Sequence, residues 1–142
     1  MSTTASRNTT TGNSYEKEIE NLLIESNKYI CESQVNIGTK RNGGKHYVDI
    51  LLNKKHLISL KYQHVQGTAE EKIPFEVMKL QHAVNDHKYD TATIVLAGPD
   101  KAWKWKSYYL GEEFQNDMKK VYPNVRIISH EQFLLEYIPS NT

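Results

Sequence analysis

The sequence predicts an α/β protein with a mixed central sheet flanked by helices, its elements ordered αβββαβ and followed by an αβα extension. Three observations carry this. Residues 15–24 repeat apolar side chains at helical spacing; HYVDILL (46–52) and HLISLKYQ (56–63) are strand-like runs joined by a tight polar turn; and TATIVLA (91–97) is a continuous apolar run of the kind buried on both faces of a sheet.

The elements follow in order. Residues 1–13 are rich in Ser, Thr and Asn with no apolar pattern, so they are expected to form a disordered tail, with Asn13 or Ser14 capping the first helix and one folded unit spanning 14–142. That helix is expected to reach about residue 32, with Tyr15, Ile19, Leu22 and Leu23 inward and Tyr29 and Ile30 continuing the stripe. A first strand at 34–39 and a turn at Gly43-Gly44 precede the two strand-like runs. A second helix over 69–86 carries the stripe Ile73, Val77, Leu80 and Val84, and Thr68-Ala69-Glu70-Glu71 at its start has the form of a capping box. After the strand at 91–97 come a helix at 111–121, a strand at 125–129 and a last helix from 130 or 131 to 137.

The two runs at 46–63 concentrate chemistry. Leu57, Ser59, Lys61 and Gln63 share one face of a period-2 strand, and Ile58, Leu60 and Tyr62 share the other. Lys61 therefore sits mid-strand among apolar neighbours, where an ammonium needs a compensating anion, and Asp49 on the preceding strand is the candidate. A hairpin connection with an odd number of residues, or one bulge, pairs Asp49 with Lys61 and Leu51 with Ser59; a four-residue loop puts Asp49 on the wrong side. The odd register also gathers Val48, Ile50 and Leu52 with Ile58, Leu60 and Tyr62 on one buried face.

Asp49, nine residues, then Ser59-Leu60-Lys61 resembles the strand motif of the PD-(D/E)XK nuclease superfamily, and Gln63 resembles the Lys-X-Gln extension of several of its branches. The resemblance implies a restriction-endonuclease-like αβββαβ core and a Mg²⁺-dependent phosphodiesterase, with Mn²⁺ able to substitute. It implies that Asp49 binds metal and that Lys61 orients or activates the attacking water. Two departures stand out: Val48 replaces the proline before the aspartate, and Ser59 replaces the second acid. A hard divalent cation is held poorly by one carboxylate. Some restriction enzymes of the superfamily carry Ser-X-Lys and move the acid to the following helix, where this chain offers Glu70, Glu71 and Glu76. Glu76 borders the core stripe and is the choice; Glu70 and Glu71 suit the turn that starts the helix. Superfamily members often carry a first-helix glutamate three residues before an apolar core position, which resembles Glu16 followed by Ile19, with Glu20 the rival and a solvated acidic face the bland alternative. Residues 66–76 further resemble stretches of small phage and bacterial restriction-like nucleases.

Composition sets limits. The chain has 142 residues and a formal charge of +1, so one sheet-centred core fits and no global basic field draws it to nucleic acid. Contact with DNA then needs local charge: Lys40, Arg41 and Lys45 around the glycine pair, Lys54 and Lys55 in the hairpin turn, and the segment 101–106, with Trp103 and Trp105 on either side of Lys104, just past Gly98-Pro99. The tryptophans there must pack on the core or stack on a partner. A single cysteine, Cys31, excludes an internal disulfide framework, and no Cys/His group has zinc spacing. His46 and His64 flank the site, while His82 and His87 fit helix-surface or core roles. No run approaches a membrane span and no secretion signal is visible, so the cytoplasm is the expected compartment. One active centre reaches one scissile phosphate, so a double-strand cutter of restriction or homing type is expected to be a homodimer or higher homo-oligomer. The alternatives are a catalytically inactive nucleic-acid-binding module on the same fold, and a merely structural Asp49/Lys61 pair.

Overall fold

The computed structural model of the chain describes residues 4–67, 69–87 and 89–139, and the side chains of these except 4–11 and 69. In chain order the elements are α1 (Thr4–Ser26), β1 (Cys31–Thr39), β2 (Lys45–Leu52), β3 (His56–Tyr62), α2 (Ile73–His87), β4 (Thr91–Ala97), α3 (Lys106–Leu110), α4 (Glu112–Val121), β5 (Val125–Ser129) and α5 (His130–Tyr137), with 3-10 turns at Ala69–Lys72 and Asp100–Ala102. The strands form one sheet in the order β1-β2-β3-β4-β5. Pairing is antiparallel from β1 to β3 and parallel from β3 to β5, the mixed sheet that the sequence predicts.

Helices cover both faces. Tyr15, Ile19 and Leu23 of α1 pack with Phe133 and Tyr137 of α5 against Ile50, Ile58 and Val95. On the opposite face Ile73, Val77, Leu80 and Val84 of α2, Tyr109 of α3 and Met118 of α4 pack against Leu57, Ile94 and Ile127. Six of the seven β4 residues are buried, which is why that strand shows no polar alternation. Among the described residues no helix is long and apolar enough to cross a membrane.

Several boundaries differ from expectation. α1 begins at Thr4, so its backbone runs as helix through the expected Asn13 or Ser14 cap and through most of the segment expected as a disordered tail. A helix anchored by a buried stripe extends outward at a cost of only about 0.5 kcal/mol for each Ser, Thr or Asn. At its other end α1 stops at Ser26, six residues early, because Asn27 adopts φ 60° and turns the chain. Tyr29 therefore lies outside the helix, its hydroxyl donating to the Tyr137 carbonyl at 2.8 Å, and Ile30 is exposed. The capping box at the start of α2 includes Thr68, which lies outside the described residues. The short helix α3 carries no period long enough to announce it.

The hairpin turns through Asn53 and Lys54, both at positive φ (53° and 65°), in a three-residue connection. The odd parity agrees with the apolar pattern, but the register is shifted by two: Leu52 pairs with His56 and Ile50 with Ile58, which brings Asp49 level with Ser59 instead of Lys61. The Asn53 side chain explains the shift, since it accepts the Ile30 N–H at 2.9 Å and holds the turn close against the start of β1. A second correction concerns Val48, expected on the same face as Ile50. Val48 packs with the α2 side and Ile50 with the α1 side. Both β1 and β2 change faces at one level, where Gln34 adopts φ 51° between Ser33, paired with Ile50, and Val35, paired with Val48. A left-handed residue inverts the alternation of a strand, and Asp49 lies across from it.

Candidate active site

Asp49 stands where β2 and β3 part. The ladder between them ends at Ile50 and Ile58, and the next free donor of β3, the Leu60 N–H, is taken by Asp49 Oδ2 at 2.7 Å. The aspartate thus substitutes for a missing strand pairing and is held rigidly by it. Its other oxygen receives Gln34 Nε2 at 3.4 Å, and the same amide donates to Glu16 Oε1 at 3.0 Å. Glu16 reaches this point from α1 on one face of the sheet; Glu76 reaches it from α2 on the other.

Glu76 lies in the first turn of α2, and its two oxygens divide the work. Oε2 accepts the Ser59 hydroxyl at 2.8 Å, while Oε1 faces Lys61 Nζ at 3.7 Å and Lys79 Nζ at 3.2 Å. Ser59 and Lys61 project to α2 because they alternate with the buried Ile58 and Leu60. Lys79 follows Glu76 by one helical turn, which places both on one helix face.

The carboxylates are tuned differently. Burial pushes Asp49 up, against the lowering influence of the Leu60 N–H, Lys61 and Gln34. Burial likewise pushes Glu16 up, and the neighbouring Asp49 pushes it further. Burial also acts on Glu76, but the ammoniums of Lys61 and Lys79 and the Ser59 hydroxyl outweigh it and hold that carboxyl below its ordinary range. Two acids that burial pushes up, Glu16 further by Asp49 and Asp49 further by Glu76, lie on one open cavity of about 430 Å³ and, together with Gln34, form the donor set a cation would relieve. Among the described residues no three His, Cys, Asp or Glu side chains are gathered as a ready-made metal cage. The pair Glu16 and Asp49 fits a hard cation through its oxygens, and Glu76 stands beside it already neutralised by two lysines.

The remaining expected residues separate into groups. Gln63 is buried but turned away: Nε2 donates to the Ala102 carbonyl at 2.5 Å and to Glu70 Oε2 at 3.4 Å, which corrects its expected place beside Lys61 in the reaction centre. Glu70 in turn takes the Trp105 N–H at 2.5 Å, so it fastens the loop after β4 instead of joining the site. Trp103, expected to touch nucleic acid, is only 6% exposed, and its indole N–H donates to the Ala97 carbonyl at 2.9 Å; the tryptophan left outside is Trp105, at 53%. Lys104 beside it is exposed. Lys54 and Lys55 lie at the far end of β3, about 20 Å from Lys61 at 3.3 Å per residue, and Lys54 pairs with Glu32 at 3.0 Å. They are not brought to the site. Lys40 and Arg41 border the α2 side of it, with Arg41 paired to Asp86, and Lys45 is exposed at the start of β2. Lys79 and Gln34 were missed by the motif. The signal for Lys79 was its place one turn after Glu76; for Gln34 there was none, since its role depends on an unusual backbone.

Compared with known families, residues 7–135 match the family model described as a PD-(D/E)XK nuclease superfamily domain. The chain belongs to the PD-(D/E)XK nuclease superfamily. The match covers nearly all of the described residues, and the five-stranded mixed sheet flanked by helices is consistent with the restriction-endonuclease-like fold. It places the chain among nucleases, which are hydrolases. No curated protein and no solved structure matches it. Against the superfamily pattern the departure at Ser59 has a physical counterpart: the hydroxyl binds the acid that arrives from α2, so a carboxylate occupies the neighbourhood of the strand position by another route.

Proposed function

We propose that this PD-(D/E)XK protein is a Mg²⁺-dependent DNA endonuclease that hydrolyses phosphodiester bonds, with Mn²⁺ able to replace Mg²⁺. The observation that carries the reading is the contact of Glu76 with both Ser59 and Lys61, opposite Asp49 and Glu16. A structural ion pair needs two partners; here three acids and two lysines converge where the sheet splits open, an arrangement that contributes little to stability and much to charged-ligand chemistry.

In this reading Asp49 and Glu16 hold the cation, with Glu76 contributing from α2. When bound, the cation supplies Lewis-acid polarisation of a phosphoryl oxygen. The chain does the rest. The Leu60 N–H and Gln34 amide keep the two acids oriented. Lys61, held by Glu76, orients the attacking water and faces the charge that develops on the phosphoryl oxygens, where a fixed cation acts most strongly. Water adds to phosphorus and releases a proton to solvent, the bond to the leaving sugar oxygen breaks, and that oxygen takes up a proton from solvent. Cutting both strands in restriction or homing fashion takes two copies of the chain, one for each phosphate.

The test is incubation of the purified protein with plasmid and phage DNA in Mg²⁺, Mn²⁺ or EDTA, beside Lys61→Ala. Discrete fragments that need both metal and Lys61 are expected, with the variant slower by about 100-fold or more and its fold unchanged by circular dichroism. Full activity in Lys61→Ala removes the assignment; no cleavage of any DNA, with melting temperature unmoved by Mg²⁺, favours a binding module that retains the fold alone.

A further inference from the structure

A second concavity lies on the α2 side of the site, of about 160 Å³, walled by Phe75, Met78 and His46 and rimmed by Lys40 and Lys79. Its mouth and floor differ in character. Phe75 is 55% exposed, an aromatic ring left in solvent in the first turn of α2, whereas His46 is 6% exposed and its imidazole forms no hydrogen bond to another described residue. Lys79 Nζ lies 5.2 Å from the centroid of the Phe75 ring and 3.2 Å from Glu76 Oε1, so one side chain joins this pocket to the acids and Lys61. The opposite wall is preset: Lys40 N–H bonds the Gly44 carbonyl at 2.8 Å, Gly43 N–H bonds the Lys40 carbonyl at 2.9 Å, and Arg41 is fastened to Asp86.

We infer that this pocket receives a single unstacked nucleobase from the DNA strand whose phosphate lies at the Asp49, Lys61 and Glu76 site. The inference rests on the nuclease reading and adds a specificity element to it. Size favours one ring: an apolar cavity of about 150 Å³ is known to hold benzene. The chemistry is that of base capture, in which an aromatic face stacks on the base while a buried polar edge reads it. Phe75 and Met78 provide the face, and His46 provides the edge. Lys40 and Lys79 at the rim complement the phosphates that flank any such base. An apolar peptide side chain would bring no anion to Lys40, whereas Lys79 already faces Glu76.

An abasic scan tests this. Duplexes spanning the mapped cut, each with one nucleotide near the scissile phosphate made abasic, are titrated into the Lys61→Ala protein by fluorescence anisotropy, with and without Phe75→Ala. Phe75 is exposed enough that folding is not at stake, and Ala83→Leu, which fills the pocket from its floor, provides an independent second variant. The expected result is one position whose base removal weakens binding about 5- to 150-fold with Phe75 present and has no further effect in either variant. Effects that simply add at every position overturn the pocket while leaving the nuclease reading intact. A wild-type protein that neither binds nor cuts any of the unmodified duplexes overturns both, and cleavage in Mg²⁺ tells the two failures apart.

Discussion

The two ends of β3 are polar in opposite ways. At its start, His56 bonds Thr91 Oγ1 at 2.6 Å and the Tyr137 hydroxyl at 2.8 Å, Thr93 closes on the same pair, and Arg126 joins Tyr137 to Glu136. Both ring nitrogens are satisfied and Tyr137 stacks on Phe133 at 4.6 Å. Toward its end, Ser59 and Lys61 face acids gathered from both sides of the sheet, and two of those acids are pushed up by burial and, for Glu16, by the other. The first network closes on itself and holds α5 to the sheet. The second is balanced only in part by its own lysines, and in the proposed reading a cation from outside completes it. One strand thus carries a structural polar cluster and the candidate reactive one, and the difference lies in whether the protein answers its own charges.

The sharpest break of that contrast is Glu76→Gln. The change keeps shape and the hydrogen bond to Ser59 but leaves Lys61 and Lys79 without their common anion. Cleavage is expected to fall by about 100- to 1,000-fold, measured in single turnover, and the Mg²⁺-induced rise in melting temperature is expected to shrink. An unchanged Mg²⁺ titration would return metal binding to Glu16 and Asp49 alone.

Next in size is the acid response of the opposite end. Burial, with Arg126 nearby, pulls His56 down from its ordinary value to about 4. An unfolded histidine binds its proton near pH 6.5, so between about pH 6.5 and 4 the unfolded chain carries a proton the folded one refuses. The stability from this group is full above pH 6.5, declines through that window and is flat below it, a loss of about 3 kcal/mol at most. His56→Asn is expected to flatten that slope in urea unfolding while leaving cleavage at neutral pH unchanged. A slope retained in the variant would place the acid sensitivity elsewhere.

How much of this was legible follows from the kind of signal each residue gives. β4 begins at Thr91 and ends at Ala97, the limits of the apolar run, because a strand buried on both faces has no other way to be written. Ser59, Lys61 and Glu76 could be placed together since strand alternation and a helical stripe both aim them at one interface. Trp103 and Trp105 could not be told apart: one must go inward, but loop spacing does not say which. The face switch at Gln34 was invisible for a different reason. A left-handed strand residue is ordinarily announced by glycine or asparagine, and glutamine stands there instead.

That exception yields the smallest and most discriminating prediction. A non-glycine residue held at positive φ costs on the order of 1 kcal/mol, and such a cost persists where the side chain has work to do. Gln34→Gly removes the strain and the amide together. Stability in urea is expected to hold within about 0.5 kcal/mol, since relief of φ offsets the lost hydrogen bonds to Glu16 and Asp49, each worth about 1 kcal/mol or less at this exposure. Cleavage is expected to fall about tenfold, one lost orienting hydrogen bond being worth roughly 1.4 kcal/mol in rate, and Gln34→Asn, which tolerates the same backbone but reaches less far, should fall between. A glycine variant that loses stability and keeps its rate would make Gln34 a strand-packing residue, and the reactive end of β3 would then begin at Asp49 rather than one strand earlier.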